Sequence, residues 1–141
     1  MAPEASGLLG RKGGGFRKTA VVRASRIGDF LLAVPALRAI HRALPQAEVV
    51  YIGLPRVELL ARRCLYITRF EPFPGFPGVA DQFYEPRRAL AFLVRMQAEE
   101  FDLAVQMHGS GTYSNIFTSL LGAKLTAGFC RRDESVPWLD A

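Results

Sequence analysis

Apolar and polar positions along this chain recur with two different periods, and the two alternate. Thr19 to Ala24 (TAVVRA) is a short, β-branched apolar run closed by the turn-like SRIGD, the pattern of a parallel strand buried on both faces. From Phe30 to Leu44, the residues Leu31, Leu32, Val34, Leu37, Ile40, Ala43 and Leu44 return every three or four positions opposite Arg38, His41 and Arg42. That spacing predicts an amphipathic helix stopped before Pro45, with Pro35 kinking its first turns or dividing it into two pieces. Glu48 to Gly53 (EVVYIG) predicts a second strand, and Pro55 to Arg63 a helix with proline at its first position. Tyr66 to Phe70 reads as a third strand, Pro86 to Glu100 as a helix and Phe101 to Met107 as a fourth strand. Thr112 to Leu121 then reads as a helix and Lys124 to Phe129 as a fifth strand. Between the third strand and the next helix, Glu71 to Tyr84 mixes prolines with aromatics and fits no regular element.

Strands alternating with helices at this spacing imply right-handed βαβ units. The expected fold class is therefore α/β: a Rossmann-like, open, mostly parallel sheet with helices on both faces. Open sheets of this kind bind ligands beyond the carboxyl ends of their strands, near the point where strand order reverses. The two loops that matter are then Ser25 to Asp29 and His108 to Thr112.

Length and composition narrow the picture. At 141 residues, half of them hydrophobic and 22% charged, the chain suits one well-filled core and is too apolar for general disorder. Residues 1–16 hold five of the thirteen glycines without apolar periodicity, so a flexible leader is expected there, a domain over 17–129, and the start of a truncated connection over 130–141. The net charge of +5 sits largely in Arg11, Lys12, Arg17 and Lys18, and the basic residues beyond them are interspersed with acids, which argues against a nucleic-acid partner. Cys64 and Cys130 form no ligand spacing, and free thiols with no metal site are expected. No apolar run approaches the roughly 18 to 20 residues of a spanning helix.

Ser25-Arg26-Ile27-Gly28-Asp29 contains one glycine, so it is neither a dinucleotide fingerprint nor a P-loop. Asp29 stands before the predicted helix, where it can cap the amides of Leu31 or Leu32, or serve as a general base at the mouth of the sheet. The roles compete, because a carboxylate held by helix amides is a poorer base. In the second loop, Gly109 and Gly111 permit tight turns, while His108, Ser110, Thr112 and the amide of Asn115 are placed to meet a sugar or an anion. A plain helix cap, with glycine providing the turn, is the simpler account of the same residues taken by themselves. Within Glu71 to Tyr84, the aromatics suit packing over the core better than lipid contact.

The run VVRASRIGDFLLAVPALRAIHRALPQAEVVYIGLP resembles the amino-terminal domain of the family 9 glycosyltransferases, the ADP-heptose:lipopolysaccharide heptosyltransferases, which open with a strand, a Ser-x-x-Gly-Asp turn and a Leu-Pro-rich helix. FDLAVQMHGSGTYSN with LLGAKLTAGF resembles that family's fourth strand, glycine turn and next strand, and the similarity spans about Lys18 to Phe129. The resemblance implies the acceptor half of a two-domain GT-B enzyme that inverts configuration without a metal. Asp29 would be the base, and Ser25, Arg26, Gly28, His108, Gly109, Ser110, Gly111, Thr112 and Asn115 would bind substrate. The implied partners are an anionic glycolipid or saccharide acceptor and a carboxyl-terminal donor domain, expected to be missing here, that holds a nucleotide sugar such as ADP-heptose. No other cofactor is implied. The implied place is the cytoplasm or a peripheral position on the inner face of the inner membrane. On this reading the chain is inactive alone, and its rival is a carbohydrate- or envelope-binding domain without catalysis.

Overall fold

The computed structural model describes residues 15–79, 81–136 and 139–141, so most of the expected leader, together with Trp138, lies outside the described residues. Five strands form a wholly parallel sheet: β1 (Lys18–Arg23), β2 (Glu48–Gly53), β3 (Arg69–Pro72), β4 (Leu103–Gln106) and β5 (Leu125–Gly128), in the order β3-β2-β1-β4-β5. Helices α1 (Ile27–Ala43), α2 (Glu58–Arg63, entered through a 3-10 turn at Pro55–Val57), α3 (Pro86–Ala98) and α4 (Ser114–Ser119) connect them. The Rossmann-like α/β expectation is met.

Side chains alternate across the sheet and build two layers. Ala20, Val22, Val50, Ile52 and Ala104 pack beneath Phe92 and Met96 of α3 and Phe117 of α4. Val21, Val49, Tyr51 and Phe70 pack on the other side against Phe30, Ala33 and Leu37 of α1 and Ala61 of α2. Every apolar side chain of β1 is therefore covered, which is why that run carries no polar alternation. Phe16, expected in the leader, is instead buried beside Leu44, Ala47 and Leu103.

Element edges depart from expectation where burial outweighs local pattern. β3 begins at Arg69 rather than Tyr66, since Thr68 N–H bonds to Val49 O at 2.9 Å and sets the pairing three residues later. Tyr66 and Ile67 still pack on the second layer, from a turn. Proline at the end of β3 is tolerated because the strand lies at the sheet edge. α1 runs unbroken through Pro35, and the carbonyl left without a helical donor belongs to Leu31, which faces solvent. Glu85 caps α3 through both carboxylate oxygens, to the amides of Arg87 (3.0 Å) and Arg88 (2.7 Å). Among the described residues no helix is long and apolar enough to cross a membrane, and both cysteines are free thiols.

Charges lock the amino ends of the strands. Glu99 accepts from Lys18 Nζ at 2.8 Å and Arg69 Nη1 at 2.9 Å, joining β1 and β3 across β2, whose Glu48 also faces both cations. Asp102 accepts the amides of Arg17 and Lys18 and the ammonium of Lys124. The Arg69 and Lys18 hydrogen bonds pull the Glu99 carboxyl from 4.5 down to about 2, against the opposing effect of burial. A carboxyl whose folded pKa is depressed stabilises the fold fully above its unfolded pKa and progressively less as pH falls through the folded one. The melting temperature should therefore decline as pH is lowered from 4.5 towards 2, and Glu99→Gln should flatten part of that decline while lowering stability at neutral pH. Calorimetry across that range checks it.

Candidate active site at the switch point between β1 and β4

Strand order reverses between β1 and β4, so the segments that leave their carboxyl ends diverge and open a crevice. Arg23, the last residue of β1, bridges them: its Nε donates to Asp29 O at 3.1 Å and its Nη1 to Met107 O. An arginine closing the apolar run of Ala20, Val21 and Val22 was the available signal for this bridge, and sequence reasoning passed over it. Tyr51, buried in the second layer, donates its hydroxyl to Arg23 O at 3.2 Å, and burial pushes its pKa well above the usual phenol range.

The first segment is shorter than expected because α1 starts at Ile27, with Phe30 N–H bonded to Arg26 O at 2.9 Å. Gly28 and Asp29 thus stand in the first helical turn rather than in a turn before it. Arg26 occupies the N-cap position with no side-chain cap. Asp29 is exposed, and among the described residues no hydrogen bond reaches its carboxylate, so it does not act as the cap. Gly28 is exposed with open space around it. Ser25 is buried with its hydroxyl unpartnered among the described residues, so it faces the core side of the rim. Arg26 reaches Asp81 at 3.9 Å.

The second segment is built by a buried amide. Gln106 is fully buried; its Nε2 donates to Ser114 Oγ at 2.8 Å and to His108 O, and its Oε1 accepts Phe129 N–H at 2.9 Å. Ser114 Oγ donates to His108 O as well, at 2.8 Å. Gly109 (φ 60°) and Gly111 (φ 89°) take the left-handed turns between. At Gly111 a side chain is sterically excluded, since an added Cβ would lie 2.1 Å from Phe129 O. Asn115, expected in the cleft, is buried: its Nδ2 donates to Phe129 O at 2.8 Å and its own amide to Gly111 O at 2.9 Å. It holds the turn against β5 rather than facing a ligand. α4 is also shorter than expected, beginning at Ser114 because the glycine turn occupies the residues before it.

His108, Gly109, Ser110, Gly111 and Thr112 line a cleft of about 390 Å³. Its other walls, absent from the sequence reading, are Tyr113, Gly78 and Val79 from the proline-rich loop, and Arg131 and Glu134 beyond β5. Glu134 accepts from Thr112 Oγ1 at 3.4 Å. Burial, then the Arg23 charge, lowers the His108 pKa below 6.5, with Asp81 and Asp29 opposing. At neutral pH the imidazole is uncharged, one nitrogen a donor and one an acceptor. Asp29 therefore stands outside the cleft lining yet close enough to act electrostatically on the histidine within it. The rim assembles a free carboxylate, a neutral imidazole, two hydroxyls and a glycine turn of which Gly109 is exposed and Gly111 buried.

The five-stranded Rossmann-like sheet is a fold that this chain shares with part of solved glycosyltransferases. The chain is similar to one part of a family 9 glycosyltransferase from Veillonella parvula DSM 2008, with a TM-score of 0.65, 14% identity, and coverage of 85% of this chain and 37% of that one. It is similar, too, to E. coli heptosyltransferase WaaC, solved with ADP-2-deoxy-2-fluoro heptose (TM-score 0.61, 21% identity, 79% of this chain and 36% of that one) and with ADP (0.61, 18%, 79% and 35%). The chain thus spans little more than a third of the length of these proteins. At the level of sequence, no family model and no curated protein matches it.

Two outcomes follow from this geometry. Gln106→Leu leaves the amide of Phe129 without its buried partner and should destabilise the fold by about 1–3 kcal/mol in urea denaturation. In an NMR titration, with His41→Gln used to assign the two histidines, His108 should titrate below 6.5. Asp29→Asn removes a charge that favours the imidazolium, so it should lower that midpoint further; an unchanged midpoint would remove Asp29 from the site.

Proposed function

We propose that this chain is the acceptor-side half of an inverting glycosyltransferase, one that moves a heptose or related sugar from a nucleotide-sugar donor such as ADP-heptose to an anionic, lipopolysaccharide-type acceptor. The observation that carries this reading is the exposed Asp29 carboxylate, free of hydrogen bonds among the described residues and acting electrostatically on His108, on a fold shared with glycosyltransferases. Asp29 takes the proton of the acceptor hydroxyl while that oxygen attacks the anomeric carbon in line. As the new C–O bond forms, the bond from that carbon to the diphosphate oxygen breaks, and the electron pair leaves with the nucleotide. Neutral His108, Arg26 and the hydroxyls of Ser110 and Thr112 hold the acceptor, with the main chain of Gly109 and Gly111 shaping the turn around it. The donor is held by a second domain facing the same rim. An acceptor of this kind places the reaction at the inner face of the cytoplasmic membrane, with peripheral contact.

In a heptosyl-transfer assay on the longest chain that carries these residues, Asp29→Asn should lower kcat by about 10²–10⁴ while changing acceptor KM little. Turnover near the parent value would refute the base assignment. A protein that binds lipopolysaccharide-type saccharides but transfers no sugar with a donor domain present would instead support a non-catalytic binding role.

A further inference from the structure

The proline-rich loop has a place in the fold that neither its sequence nor the proposed chemistry explains. It folds back over the start of α4, closed by a bridge between Phe76 and Val79, with Phe73 and Phe76 set edge-on against Phe117. At its tip Gly78, at φ 84°, meets Tyr113: a Cβ added there would lie 2.2 Å from Cγ and 2.4 and 2.5 Å from the two Cδ atoms. Cγ and both Cδ atoms are thus nearly equidistant from that point, which places it over one face of the ring. Only glycine permits so close an approach, because its missing Cβ is the atom that would clash and its left-handed φ is one that other residues rarely adopt. Tyr113 is nonetheless 53% exposed and lines the cleft beside the glycine turn. One face of the ring is pinned, while the residue as a whole stays more than half exposed at the cleft.

We propose that Tyr113 is a stacking platform for a pyranose ring of the substrate, with Gly78 as the backing that fixes its orientation. The proposal rests on reading this cleft as a saccharide site. A pyranose presents a face of axial C–H bonds that packs on an aromatic ring, while its hydroxyls stay free for edge-on hydrogen bonds. Those partners flank Tyr113: the hydroxyls of Ser110 and Thr112, the imidazole of His108, and the charged groups of Arg131 and Glu134. An apolar plate with polar groups at its margin distinguishes a sugar from a bare phosphate, which needs no plate. Holding the ring in place beforehand removes the ordering that an exposed tyrosine would otherwise undergo on binding.

The test titrates the chain with methyl α-mannopyranoside and methyl α-glucopyranoside, followed by NMR. Saturation of the Tyr113 ring protons should pass to C–H protons on one face of the sugar. Tyr113→Ala should weaken binding about five- to tenfold, Tyr113→Phe should restore it, and Gly78→Ala should weaken it by displacing the ring. In the transfer assay Tyr113→Ala should raise acceptor KM and leave kcat near the parent value, a split that loss of folding would not produce. Pyranoside affinity and acceptor KM unchanged in Tyr113→Ala would overturn the platform even with Asp29→Asn inactive. Pyranoside binding that depends on Tyr113, with Asp29→Asn fully active, would keep the platform and discard the catalytic assignment.

Discussion

The central position of β1 is the constraint on which the other features depend. It pairs in parallel with β2 on one side and β4 on the other, from Thr19 to Val22 on both at once. A strand so placed has no free edge and no solvated face, so its residues must be small or β-branched. Its two neighbours are reached by crossovers over opposite faces of the sheet, with α1 on one face and α3 on the other. The chain therefore has to leave β1 and β4 in diverging directions, and the gap between them is set by topology before any functional side chain is chosen. What the side chains add is closure of that gap at its base, and Arg23 provides it by binding main-chain oxygens on both sides.

The two ends of the sheet are held differently. At the amino ends, Lys18, Glu48, Arg69, Glu99 and Asp102 form a partly exposed ion network in which each carboxylate meets more than one donor or cation. At the carboxyl ends the stitching is done by neutral groups, chiefly the amides of Gln106 and Asn115, which grip the main chain of Phe129 from both sides. Neutral hydrogen bonds fix the glycine turn without adding charge beside the cleft. The histidine protonation state is then left to burial, Arg23 and the two aspartates, so a modest change in one charge at the rim is felt at the imidazole.

The sheet and its strand count were legible in the sequence because each rests on period and length, which burial enforces over many residues. The failures are all of a kind. Gln106 and Asn115 are polar residues that both bond to the main chain of Phe129, 23 and 14 residues away, and no local pattern marks them as buried. The start of α1 was misplaced because Ser25 to Asp29 has turn-like composition, whereas the phase of the helix is set by Phe30, Ala33 and Leu37 packing inward, and its exposed first turn extends back from them. That shift matters chemically: it takes Asp29 from the N-cap position, where helix amides would occupy it, to an exposed place in the first turn. Tyr113 went unnoticed because a tyrosine after a glycine turn looks ordinary until Gly78, thirty-five residues earlier, is seen to lie on its face.

On the proposed reading, the distribution of cations at the rim bears on how the work of the transfer would be divided. Near Asp29 the guanidinium of Arg23 is committed to two carbonyl oxygens and that of Arg26 faces Asp81. Arg23 is thereby committed to holding the rim together, whereas Arg26, exposed and 3.9 Å from Asp81, and Arg131 in the cleft wall can still turn towards an anion. A proton needs only one uncommitted base within reach of the hydroxyl, and among the described residues no hydrogen bond occupies the Asp29 carboxylate. Proton removal and sugar placement then fall to this domain, while the donor diphosphate is met by the domain that faces the rim. Within this domain Arg23 is taken up in closing the base of the crevice, which leaves Arg26 and Arg131 to meet an anionic acceptor on the proposed reading.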